Sequence, residues 1–363
     1  MTALAERDHE AAERAGYAPL QERVRARGGL TTRGLGLVVA VAALVAVAAL
    51  SVAVGTKSIP LGTVWDALDG HTSLAERAQD VQIITELRIP RTLLGLAAGI
   101  ALGLAGALIQ ALTRNPLADP GILGIDAGAA AAVVVAVQIF GIGSLTGYIW
   151  FAFAGAAAAF TVVYLLGSRG RSGASPERLA LAGTAIHAAL FAVVNGFALL
   201  NSATFEVYRV WMIGSLTAKD LPTLYAVLPF IAAGVLLTLA LGPSLNAIAL
   251  GEDTARALGA NLNRTRLLSV VAITLLCGAA TAAVGPIAFV GLAVPHIART
   301  IVGPDQRWLL PYSLVLAPVM LLLSDIVGRV LARPGELEVG LVTALLGAPV
   351  FIAIILRRRI VPL

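Results

Sequence analysis

The chain has 363 residues, 58% of them hydrophobic and only 13% charged, with a net charge of +5, an isoelectric point near 9.8 and a mean hydropathy of +0.88. An apolar share this far above that of soluble domains excludes an ordinary globular enzyme and marks a polytopic membrane protein. The positive residues are spread between apolar runs instead of forming one patch, so they read as topology signals and not as a nucleic-acid surface.

Residues 1–33 carry Arg7, Arg14, Arg23, Arg25, Arg27 and Arg33 among acids, alanines and glycines, and read as a cytosolic tail ahead of one transmembrane domain, 34–363. The apolar run at 34–55 is too extended, and the region before it too long, for a cleaved secretory signal, so it is taken as the first span. Residues 56–87, with Pro60, Trp65 and His71, read as a polar external loop. Further spans are expected at 89–112, 118–139, 145–167, 178–200, 222–242, 265–284, 287–302, 309–332 and 338–356, making ten. An even count puts both termini on one side. The basic tail, Arg169/Arg171/Arg178, Arg256/Arg264/Arg266, Arg299/Arg307 and Arg357/Arg358/Arg359 then share that side, which the positive-inside rule makes cytoplasmic.

The second span carries Gly95, Gly99, Gly103 and Gly106 at three- to four-residue spacing, a small face that lets another helix approach closely. Gln110, Arg114 and Asn115 follow, then Pro116 and Pro120, which cannot continue the helix. Irregular backbone at membrane depth survives only inside protein or against a wet cavity. A second interruption, GPIAFVGLAVPHIAR, lies five spans later, and the odd offset gives the two halves opposite orientation, as in inverted-repeat transporters. There is no GxxxxGK[ST], HExxH or GxSxG pattern, and the only lysines are Lys57 and Lys219, so the chain is neither a nucleotide-driven motor nor a hydrolase and calls for no cofactor. Cys277 lies alone in an apolar run, which rules out disulfides and cysteine metal sites.

Several polar residues merit individual reading. In GEDTARALG, Glu252 and Asp253 open a short helix, Arg256 follows, and Gly259 stops it; the pattern alone fits an ordinary capped loop helix as well as a functional one. Asp325, Asp126 and His296 lie near or within apolar runs and are functional candidates by position. Their plainer readings are an ion pair or cap for Asp325, a helix start for Asp126 and a span end for His296, and they do not cluster as metal ligands. Thr184, His187, Phe191 and Asn195 fall within a sector of roughly 80° of the fifth span, a stripe that should not face lipid. Arg88, Arg91 and Arg329 fall on the side where arginine is disfavoured, either as interfacial residues with their stems on apolar surface or as forks for a partner's carboxylates.

Taken in order, RIPRTLLGLAAGIALGLAGALIQALTRNPLADPGILGI, GEDTARALG, GPIAFVGLAVPHIAR, LLLSDIVGR and GELEVGLVTALLGAPVFIAIILRR resemble the successive blocks of the FecCD family, from about residue 35 to the end. These are permease subunits of ABC importers for iron-siderophore, haem and cobalamin. The resemblance implies an all-α, BtuC-like permease of ten helices. It also implies a dimer with a second copy or a paralogue, two ATPase subunits inside and a cargo-binding protein outside. It further implies that Glu252, Asp253, Arg256, Ala257, Leu258 and Gly259 form the ATPase-coupling helix, and that Arg88, Arg91 and Arg329 receive acidic residues of the binding protein. The stripe Thr184, His187, Phe191 and Asn195 is then expected along the translocation route at the dimer axis, the alternative being hydrogen bonding between helices of one subunit. The chain departs from the family pattern with its longer tail, with Glu338 in place of a usual proline, and with Pro176 and Glu177 after Ser175 where relatives carry small hydroxyl residues at an inner gate. The other function class, an ion-coupled secondary transporter, needs its own intramembrane carboxylates, of which this chain has few.

Overall fold

The structure is a computed structural model that describes residues 30–69, 78–168, 176–217 and 219–356. The expected tail up to Gly29, His71, Arg169, Arg171, Ser175 and the terminal arginines lie outside the described residues, and of Pro176, Glu177 and Glu252 only the backbone is described. All regular structure among the described residues is helical. In chain order the helices are α1 (Leu30–Ala53), α2 (Leu61–Leu68) and α3 (Ala78–Gln82), then a π-helical turn (Ile83–Arg88) that runs into α4 (Ile89–Thr113). A 3₁₀ turn (Pro120–Leu123) precedes α5 (Ile125–Phe140), followed by α6 (Leu145–Ser168), α7 (Pro176–Leu200), α8 (Ser202–Met212) and α9 (Leu221–Ala249). The chain ends with α10 (Glu252–Ala257), α11 (Leu262–Val284), α12 (Val290–Val302), α13 (Gln306–Leu331) and α14 (Val339–Leu356).

Helix α4 is the axis of the subunit, packing against α13, α11, α12, α9 and α1. Its glycine face explains how so many neighbours fit. A Cβ at Gly99 would lie 2.5 Å from Pro318 Cα, one at Gly103 would strike Ala317, and one at Gly106 would occupy the place of the Gly291 carbonyl on α12. Helices α5 and α6 approach in the same way, since a Cβ at either Gly128 or Gly155 would meet the other's carbonyl oxygen. Where there is no hydrophobic gain between apolar helices, such close approach supplies the packing energy.

Seven helical stretches are long and apolar enough to cross a membrane: Leu30–Ala53, Gln79–Thr113, Gly147–Gly167, Arg178–Leu200, Leu221–Ala249, Leu262–Val284 and Gln306–Leu331. The other three expected spans hold shorter apolar helices, Ile125–Phe140, Val290–Val302 and Val339–Pro349. Two of them start late for a visible reason. Pro120–Leu123 forms a 3₁₀ turn that ends on left-handed Gly124 (φ 79°), and α12 begins only after Gly285 (φ 77°) and Phe289 (φ 68°) have redirected the chain. The described parts of the expected polar loop at 56–87 are folded: Ile59, Val64, Ala67 and Ile84 form a small core under α2 and the π-helical turn. Helix α8 also falls where no element was expected.

Candidate functional site

The ends of α1, α11 and α13 and the starts of α4, α9 and α14 meet at one end of the bundle, here termed the Arg88 end. Arg91 holds Asp325 with Nη2 at 2.6 Å from Oδ1 and Nε at 3.1 Å, and donates from Nη1 to Glu336 at 2.6 Å. Arg329 takes the other oxygen of Asp325 at 2.9 Å and donates to the carbonyls of Ser51 and Val54 at 2.9 and 2.8 Å. Arg88 donates to the carbonyls of Val52, Ala53 and Lys57 at 3.0, 2.7 and 2.6 Å. The last turn of a helix leaves its carbonyls without intrahelical donors. At the end of α1, two guanidiniums from α4's entry turn and α13 supply those donors.

This arrangement differs from the expected row of exposed forks. Arg88, Arg91 and Arg329 are only 5%, 8% and 2% exposed, and their bonds run to groups of the same chain. A buried charge is tolerated only when paired and hydrogen-bonded, and the wholly buried Asp325 meets that demand for two arginines at once. A cavity of about 260 Å³ remains beside the cluster, lined by Lys57, Arg88, Arg91, Thr217, Arg329 and Glu336.

Helix α12 is bound to α4 by a polar hook. Pro295 within α12 lacks an N–H, so the carbonyl four residues before it, Gly291, loses its helical donor. The wholly buried Gln110 of α4 brings its amide nitrogen to 3.4 Å from the Gly291 oxygen and 3.2 Å from that of Leu292, and its own oxygen accepts from Arg299 at 3.1 Å. His296, next to the proline, is buried at 4% exposure. Asp126 accepts from Thr281 of α11 at 2.9 Å.

At the opposite end, α4 stops with Arg114 in the left-handed region (φ 51°), its N–H and that of Asn115 closing on the carbonyls of Ala111 and Gln110. Arg114 also donates to Ile248 at 2.7 Å, next to α10. Helix α10 turns between Gly251 (φ 109°) and Gly259 (φ 81°) and rests on the chain through Ala255, which packs with Ile248 and Leu262. Asp253, Arg256, Ala257, Leu258 and Gly259 face outward and are exposed, with Arg256 and Asp253 paired at 2.8 Å. Asn246 just before it is tied to Asp305, the N-cap of α13, at 2.6 Å. A small exposed knob on a braced base is a shape that a partner's cleft can receive and push.

The α7 stripe is also open. Thr184, His187 and Phe191 are exposed and Asn195 half-buried. The His187 and Phe191 rings stack at 6.1 Å, while Thr184 and Asn195 bond to their own helix at Ala180 and Phe191. Among the described residues, no neighbouring helix takes up those two polar groups.

The chain matches the model of the FecCD transport family over residues 43–357. It belongs to that family. The protein is therefore a transmembrane permease subunit of an ABC importer, and ATP hydrolysis takes place on a separate subunit. It is 50% identical over 305 residues to the ferric enterobactin transport system permease protein FepD of Escherichia coli K12, covering 84% of this chain and 90% of that one. It is 38% identical over 297 residues to the probable siderophore transport system permease protein YfiZ of Bacillus subtilis 168, covering 82% and 89%. Its fold superposes with a TM-score of 0.77, at 27% identity, on an inward-facing conformation of a metal-chelate type ABC transporter, covering 88% of the permease and 98% of that chain.

Proposed function

We propose that this permease carries a ferric siderophore across the cytoplasmic membrane, with ten spans and both termini in the cytoplasm. In this reading the tail at 1–33 is cytosolic, the Arg88 end faces outward, and the end bearing α10 faces an ATPase dimer. The observation that carries the cargo assignment is the half identity, over nearly the whole membrane domain, to a permease named for ferric enterobactin. Each part of the partner scheme draws on a feature of the chain. The coupling segment Glu252–Gly259 is anchored to the chain by Ala255, packed with Ile248 and Leu262. The open stripe Thr184, His187, Phe191 and Asn195 suits a route shared with a second permease copy or paralogue, because such residues do not face lipid. The binding protein docks on the rim of the cavity lined by Lys57, Arg88, Arg91, Arg329 and Glu336, where its acidic residues meet a surplus of cationic groups.

The deciding experiment is uptake of radiolabelled iron, offered as ferric enterobactin, ferric citrate and haem, in cells lacking this chain. Loss confined to a siderophore supports the assignment; uptake of all three at the normal rate refutes it. For the route, a cysteine at His187 should react with a hydrophilic thiol reagent in at least one state of the ATPase cycle, and full protection in every state removes the stripe from the pathway.

A further inference from the structure

Helix α9 leads into α10 and carries Pro243 near its end. Proline has no N–H, so the carbonyl of Leu239 loses its helical donor, and with Gly242 beside it the α9 backbone is weakest there. The segment beyond Pro243, which bears α10, is bonded through side chains to two other helices. Arg114, at the end of α4, donates from Nη2 to the Ile248 carbonyl at 2.7 Å. Asn246 donates to Asp305 Oδ1 at 2.6 Å and accepts from the Gln306 N–H at 2.9 Å, and so holds the start of α13. Ile248 is also the residue on which Ala255 of α10 packs. The same two helices are joined at their far ends, where Arg91 of α4 holds Asp325 of α13 at 2.6 Å. Between these ends the backbones touch. Gly95 faces Leu322, Gly99 faces Pro318, and Gly103 faces Ala317, each so closely that a Cβ there would come within 3.0 Å of its neighbour.

We propose that α4 and α13 move as a single strut that reports between α10 and the Arg88 end, with Asn246 and Arg114 as the positioning residues that fasten it to the base of α10. The inference rests on the reading of α10 as the ATPase-coupling segment, and adds the route by which the state of the ATPase reaches the cavity beside Arg91. Antiparallel helices pinned at both ends and seated on a glycine face cannot slide past one another, because a close-packed interior passes strain on instead of absorbing it. Pro318 does not soften the pair, since it is the residue wedged against Gly99. At 1.5 Å per residue the strut carries a displacement over about 38 Å. Pro243 gives the α10 base freedom to tilt against α9, and the two side-chain tethers turn that tilt into movement of α4 and α13. Coupling of this kind is reciprocal, so occupancy of the outer end also biases the ATPase end.

The test uses the complex of permease and ATPase in lipid nanodiscs. Thr56 lines the outer cavity, and the one native cysteine, Cys277, is buried, so Thr56→Cys supplies a thiol whose labelling by a hydrophilic maleimide reads that cavity. With otherwise native residues, the labelling rates without nucleotide and with a non-hydrolysable ATP analogue should differ about ten-fold, the size of ordinary coupling between two sites. Asn246→Leu and Arg114→Met should each shrink that ratio to about two-fold while the rate without nucleotide stays the same; a merely structural defect would move both rates together. Asn246→Asp alone sets two carboxylates face to face and should also lose the ratio. Combined with Asp305→Asn it exchanges amide and carboxylate, keeps acceptors for the N–H groups of Gln306 and Arg307, and should restore it. A full ratio in both Asn246→Leu and Arg114→Met, equal shifts of the two rates, or no rescue by the exchange would overturn the proposal. If the Thr56→Cys thiol ignores nucleotide while Ala257→Pro abolishes uptake, the strut fails and the coupling role of α10 stands; normal uptake with Ala257→Pro removes both.

Discussion

Helices α4 and α7 are both 25 residues long and both apolar, yet the chain treats them oppositely. Of an 18-residue apolar stretch in the span containing α4, 83% is buried inside the subunit, against 11% of such a stretch in α7. Helix α4 spends its glycines and Gln110 on neighbours within the chain. Helix α7 keeps Thr184, His187 and Phe191 open, and Gly196 has nothing within 4 Å of the place a Cβ would take. The difference separates a helix that builds the subunit from one that the subunit leaves open, and it shows that polar or small residues in a span do not by themselves reveal which kind it is.

A pair of matched substitutions should break this comparison most sharply. Gly106→Leu drives a side chain into the Gly291 backbone, which cannot yield as a flexible side chain would, so the chain should fail to accumulate in the membrane. Gly196→Leu meets open space and should leave membrane levels normal while reducing uptake, because it alters only the outward face. Equal accumulation of the two variants, measured by immunoblot of membranes, would remove the distinction.

The next largest effect concerns the ion cluster that anchors α4's entrance. Asp325→Ala leaves Arg91 without its main partner and Arg329 without its carboxylate, at a cost of about 3–5 kcal/mol. Thermal unfolding in detergent should show that loss, with Glu336→Gln milder because its side chain is partly exposed. The same geometry alters the meaning of a charge reversal at Arg91. Arg91→Glu would set a carboxylate against Asp325 and Glu336, so lost docking in that variant would report damage to the fold; the salt dependence of binding-protein affinity in the wild type is the cleaner readout.

Outside the spans, Ala257→Pro removes a backbone donor from α10 and should abolish uptake with normal membrane levels, since Ala257 is exposed and takes no part in the small core of Ala255, Ile248 and Leu262. Normal uptake in that variant would end the coupling assignment. The smallest effect is a titration. Because burial disfavours the ammonium form, Lys219 should gain reactivity toward an amine reagent with a midpoint near pH 8. The sign for stability follows from the same shift. The buried ammonium's cost is fully present below about pH 8 and is relieved as pH rises toward the ordinary value of 10.5.

Composition and spacing determined a good deal unaided. Apolar runs longer than a bilayer requires fixed the membrane class, five ordered blocks pointed to the family, and the Gly95–Gly106 spacing foretold a close-packed face, because helical periodicity is a local property. Pro116 and Pro120 likewise marked the broken segment ahead of α5. What only the tertiary structure decided are pairings across long stretches of chain. Arg91 finds Asp325 and Glu336 at separations of 234 and 245 residues, so its side chain turns inward, where position alone suggested an interfacial arginine and the family resemblance a fork for a partner. Gln110 meets the carbonyl freed by Pro295 at a separation of 181 residues. Local periodicity states which face of a helix is small or polar; which neighbour arrives there depends on how the whole bundle closes, and no local pattern encodes that.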